Sequence, residues 1–79
     1  MIRWKRKALK DLKRLPQDTI NRIVERINQF YERGYGDIKP LHGSLANFYR
    51  LRVGNYRVIL SFEGEDMIIH RVLSREDAY

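Results

Sequence analysis

The chain has 79 residues, no cysteine, and a formal net charge of +6 from 16 Lys+Arg against 10 Asp+Glu, with an isoelectric point near 10.0. That length allows a single domain over residues 1–79, close to the lower limit at which one apolar core holds unaided. It cannot use disulfides or thiolate metal sites as staples. No apolar run approaches the roughly 20 residues of a membrane span, and the basic start lacks the apolar stretch of a signal peptide. A soluble cytoplasmic domain with no membrane contact is therefore expected.

"MIRW" at the start suits a short strand. "KRKALKDLKRL" then sets Ala8, Leu9, Leu12 and Leu15 at helical spacing, with lysines on most other positions. Pro16 ends that helix and opens the next, because proline is tolerated in a first helical turn. "PQDTINRIVERINQFYERGYG" aligns Ile20, Ile23, Val24, Ile27, Phe30 and Tyr31 along one stripe. Asp18 or Thr19 would cap its start, and Gly34 or Gly36 would end it. "DIKPLHGSLA", with Pro40 and Gly43, reads as a connecting loop.

Beyond it the apolar period changes to two. "NFYRLRV" and "YRVILSF" flank Gly54-Asn55, a two-residue hairpin turn. "EGED" is a second turn and "MIIHRVL" a further strand. The expected fold is α+β: an N-terminal helical hairpin packed on one face of a small twisted antiparallel sheet, in the order β-α-α-β-β-β.

Alternation sorts the arginines. Tyr49, Leu51 and Val53 share one face of their strand, and Phe48, Arg50 and Arg52 the other. In the next strand Val58, Leu60 and Phe62 oppose Arg57, Ile59 and Ser61. The apolar sets must meet the helices, which gathers the arginines on the uncovered face within reach of one ligand. Crowded like charges call for an anion, and arginine interleaved with Phe48 and Ile59 suits RNA phosphates and stacked bases. A polar sheet face shielded by arginine stems is the plainer account of the same pattern.

Charge is also uneven along the chain. Residues 1–40 carry 11 basic and 5 acidic side chains, residues 41–79 carry 5 and 5, and the excess sits between Arg3 and Arg14. Lys5, Lys7, Lys10, Lys13 and Arg14 fit salt-sensitive phosphate contacts as well as a solvated helix face. His70 is expected in or beside the sheet core, and Trp4 against the helices.

"PLHGSLANFYRLRVGNYRVIL" followed by "HRVLSREDAY" resembles the RelE/ParE toxin superfamily. The shared pattern is Leu41-x-Gly43, Arg50-x-Arg52-Val53-Gly54, Tyr56-Arg57 and Arg75-x-Asp77-x-Tyr79, and "ALKDLKRLP" looks like the family's first helix. The resemblance implies a toxin held inactive by a cognate antitoxin. RelE-type members cut mRNA in the ribosomal A site, whereas ParE-type members poison DNA gyrase; the basic strand face looks more similar to the RelE branch. By that resemblance Arg57 stabilises the pentavalent phosphate, and Arg50 and Arg52 bind backbone phosphates beside Phe48. Arg75 serves as a phosphate ligand or as a donor near the leaving group, and Tyr79 stacks on a base or assists proton transfer. Lys10 and Lys13 would join the RNA contacts. The partners implied are antitoxin, ribosome and mRNA, with no metal or other cofactor. Ser74 stands where the family pattern often has His, and the chain lacks the lysines some relatives carry at the Arg-x-Arg positions.

Overall fold

The computed structural model describes residues 1–75. Strand β1 (Ile2–Trp4) leads into helix α1 (Arg6–Lys13) and then helix α2 (Gln17–Arg33). Ala8 and Leu12 lie one turn apart, and both are buried. Leu9, expected on the same stripe, is exposed, because a helix this short offers the sheet only a narrow face. Pro16 caps α2 with extended backbone (ψ 152°) and no side-chain bond. Asp18 instead sits inside the first turn, where a carboxylate complements the helix dipole. Gly34 closes α2 in the left-handed region (φ 76°), its N–H donating to the Phe30 carbonyl at 2.8 Å.

The segment expected as a loop contains a strand, β2 (Asp37–Pro40), followed by a single 3-10 turn over Gly43–Leu45. Only Ile38 is apolar in β2, and Pro40 lacks an N–H, so neither alternation nor propensity marks it; it is an edge strand defined by its partner. Just before it, Gly36 has φ 153°, and a Cβ there would stand 2.7 Å from a Leu51 methyl. Strands β3 (Tyr49–Val53), β4 (Tyr56–Glu63) and β5 (Asp66–Ser74) complete a five-stranded sheet in the order β1-β5-β4-β3-β2. Asp66, expected in a turn, opens β5. The pairs from β5 through β2 are antiparallel, while β1 lies parallel to β5.

Both helices cover one face of this sheet. Ile23 and Ile27 of α2 and Ala8 and Leu12 of α1 meet Leu51, Val53, Val58, Leu60, Met67, Ile69 and Val72 in one apolar cluster. Trp4 is partly buried against its rim. Phe62 shares the core face but is half in solvent, with the Tyr49 ring at 5.5 Å and the Phe30 ring at 6.4 Å.

Candidate nucleic-acid interface

Antiparallel partners point to the same side of a sheet, so the register fixes what the helix-free face presents. One row across it runs Lys39, Arg50, Ile59, Arg71; the next runs Asp37, Arg52, Arg57, Leu73. Arg52 and Arg57 are directly opposed, a pairing that costs a sheet stability. Neither has an ion pair among the described residues. One guanidinium nitrogen of Arg57, Nη1, is buried without any hydrogen-bond partner. A buried donor left unpaired is the kind of group that a ligand satisfies.

The other cations on this face are partly compensated. Arg50, with a side chain only 14% exposed, stands 3.7 Å from Asp37 on β2. Arg71 reaches round the edge of β5 to α1, donating from Nε (2.8 Å) and Nη2 (3.1 Å) to the two Asp11 oxygens. Asp11 also accepts the Val72 N–H at 2.9 Å. That bond satisfies the edge of β5 just past the end of the short β1, whose register stops at Ile69. Burial pushes the Asp11 carboxyl up, but the Arg71 and Val72 bonds and the nearby charges of Arg71 and Arg14 outweigh it. The carboxyl stands below its ordinary 3.8.

Part of this face is dry. Ile59 and Ile68 are buried, and so is Ser61. Of the two placements expected for His70, in the sheet core or beside it, the structure shows the second. A β-bulge shifts the β4–β5 register between Ile59 and Leu60, and His70 is the extra residue. Its Nε2 shares a 2.7 Å hydrogen bond with the Ser61 hydroxyl, and its ring stacks on Phe48 at 4.7 Å. Burial and the charge of Lys5 hold its imidazole below the ordinary 6.5, against a smaller upward pull from Glu63. The sequence signal for the bulge is "IIHR", two apolar residues followed by two polar ones where strict alternation should continue.

The structure thus brings together Arg50, Arg52 and Arg57, with Phe48 at one end of the group. The backbone N–H of Arg75 donates to the Asn55 carbonyl at 2.7 Å, which carries the ladder one pair past Tyr56–Ser74. Arg75 therefore stands beside the β3–β4 hairpin turn, just past the end of β5. Lys10 and Lys13 stand apart from the sheet arginines, exposed on the last turn of α1. Tyr79 lies outside the described residues. Ser61 falls on this face as alternation predicts, whereas Lys39, Arg71 and His70 were not singled out for it by sequence alone.

A cavity of about 760 Å³ wraps the edge of β5 past the end of β1 and is lined in part by Phe48, Ile59, His70, Arg71 and Leu73. It includes none of Arg50, Arg52 and Arg57. A row of fork-shaped donors along neighbouring strands suits an extended polyanion more than a small molecule. Among the described residues no group of three or more His, Asp or Glu side chains could hold a metal ion, and no helix is long and apolar enough to cross a membrane.

Residues 2–79 match a family model described as the ParE toxin of type II toxin–antitoxin systems. Toxin RelE3 of Methanocaldococcus jannaschii is 46% identical over 43 residues, which span 54% of this chain and about half (48%) of that protein. RelE1 of the same organism is 34% identical over 80 aligned positions, covering 94% of this chain and 88% of the relative. Among solved structures, the RelB–RelE antitoxin–toxin complex from Methanococcus jannaschii contains a chain 33% identical to this one. The two superpose with a TM-score of 0.77 over 94% of this chain and 91% of that one.

Proposed function

The chain belongs to the RelE/ParE superfamily of type II toxin–antitoxin toxins, on its RelE-like branch, and from that premise we propose that it is a ribosome-dependent endoribonuclease held inactive by a cognate antitoxin. The observation that carries this reading is the opposed pair Arg52–Arg57 with a buried, unpartnered Arg57 nitrogen. Folding alone gives no reason to keep that arrangement, whereas an RNA phosphate satisfies both guanidinium groups. The antitoxin partner is supported by the RelB bound to the similar RelE chain.

Cleavage requires the ribose 2′-hydroxyl to lose its proton, attack the adjacent phosphorus and expel the 5′ oxygen. Charge builds on the non-bridging oxygens of the pentavalent phosphorus. Arg57 lies at the centre of the group and stabilises that charge; Arg52 and Arg50 hold flanking phosphates and keep the strand bent. Phe48 offers a ring face for a base. Arg75 donates toward the departing oxygen, and Tyr79 stacks on a base or assists proton transfer. Arginine does not give up its proton near neutral pH, so these side chains supply charge stabilisation and positioning while the ribosome arranges the message. Lys10 and Lys13 on α1 dock ribosomal RNA.

The test is cleavage of message by the purified chain on programmed ribosomes. Arg57→Ala should lower the rate by about 10²–10³-fold, the cost of removing one donor at a charged transition state. Equal cleavage by the two proteins would overturn the role of Arg57. The family model carries the ParE description, so gyrase is the competing target. DNA damage with intact messages on expression would select it.

A further inference from the structure

Three cavities meet at His70: the groove along the β5 edge, a pocket beside Ser61 and Phe62, and a third where α1 leaves β1. The third, about 480 Å³, is lined by Lys5, Arg6, Lys7, His70 and Arg71. All five are basic, and no carboxylate lines the space. Lys5 is pinned beside the bulge because its backbone N–H donates to the Ile69 carbonyl at 2.9 Å. His70 is held by Ser61 and Phe48, and Arg71 by Asp11. Lys5, Arg6 and Lys7 form no ion pair among the described residues.

A solvated surface would let these side chains spread apart. Here His70 and Arg71 are held by neighbours and the Lys5 backbone is tied to β5, so the chain carrying Lys5, Arg6 and Lys7 is kept against the bulge and the basic groups border one space. The bulge adjoins the Ile59–Arg71 row, one row along the strands from Arg52–Arg57, a step of about 7 Å in strand geometry. One extended nucleic-acid strand can lie on both.

We propose that this junction is a second phosphate subsite, distinct from the Arg52–Arg57 pair, which takes a backbone phosphate of the same RNA chain. The ligand class rests on reading the sheet face as an RNA surface; the subsite itself rests on the five basic groups around the cavity. Facing His70 are Lys5 from the β1–α1 connection, Glu63 and Ser61 from β4, Phe48 at the start of β3, and its neighbour Arg71. Without ligand, burial and Lys5 disfavour the imidazolium. A bound anion offsets Lys5 and favours it, so occupancy draws a proton onto His70. Binding strengthens as the pH falls toward the His70 titration and weakens above it.

The probe is an all-deoxy tetranucleotide, whose diester charges do not titrate near neutrality and which lacks the 2′-hydroxyl needed for cleavage. NMR follows the ring resonances of His70 and the guanidinium resonances of Arg57 in the full chain. Saturating probe should move the His70 titration midpoint upward in the wild type and in Arg57→Ala alike. Lys5→Ala/Lys7→Ala should weaken the His70 response by about tenfold while leaving the Arg57 response in place. An unmoved His70 midpoint would sink the proposal. So would an unchanged response in the Lys5→Ala/Lys7→Ala protein, or loss of the response in Arg57→Ala. A silent Arg57 beside a responsive His70 would instead count against the sheet-face reading and leave the subsite standing.

Discussion

The two faces of the sheet are made from the same strands and solve opposite problems. On the helix side, Leu51, Val53, Val58, Leu60, Met67 and Ile69 are buried against α1 and α2, and all are apolar. On the other side, Arg52 opposes Arg57 and a buried guanidinium nitrogen goes unpaired. The first face is consistent at every level from alternation to packing. The second breaks the rules that sheets ordinarily follow, and such breaks concentrate where a protein handles a ligand. One face holds the fold together, and the other is tolerated by it.

The comparison breaks most severely if the core is opened. Leu60→Ala, at a fully buried position, should cost about 2–5 kcal/mol. In a domain this small that removes much of the folded population, which denaturant titration would read directly. A comparable loss from Arg57→Leu would mean the two faces are not different in kind.

Asp11 sits where the faces meet, and its loss should come next. Arg71 is about two-fifths exposed, so solvent screening trims what a charged bond gives. Asp11→Ala should cost about 1–2 kcal/mol near neutral pH. The folded carboxyl titrates below its unfolded value of 3.8, so its contribution is present above that value and is lost as the pH falls through the lower, folded value. Wild type and variant should therefore converge in strongly acidic solution; a constant gap at every pH would assign the effect to packing alone.

Arg57→Leu should move stability the other way, by about 0.5–1 kcal/mol in favour of folding. It removes a cross-strand repulsion and an unpaired buried donor together. A lowered denaturation midpoint would show that Arg57 serves the fold. The smallest effect belongs to Lys10→Ala/Lys13→Ala, exposed on α1, which should leave stability within about 0.5 kcal/mol. Its signature is a shallower dependence of ribosome affinity on salt; an unchanged slope would remove Lys10 and Lys13 from the RNA contacts.

The core face was legible in the sequence because burial writes itself as period: 3.6 along α2 and 2 along β3 and β4. The arginine side followed from the same alternation. Other features were invisible for physical reasons. Strand β2 carries one apolar residue and a proline, and exists through its pairing to β3. The parallel placement of β1 is a tertiary choice that three residues cannot encode. The sequence left His70 open between a place in the core and one beside it, because a bulge displaces a residue without changing composition, and only the doubled pattern "IIHR" hints at it. The Asp11–Arg71 tie spans 60 positions, beyond the reach of any local pattern.

On the proposed function, Arg57 is kept for the message rather than for the fold. Primer extension on cellular mRNA after brief expression, comparing wild type with Arg57→Ala, tests it most directly. Cuts inside translated codons with the wild type, absent with the equally abundant variant, are the predicted result. Intact message in cells whose growth the wild-type chain has stopped would contradict it.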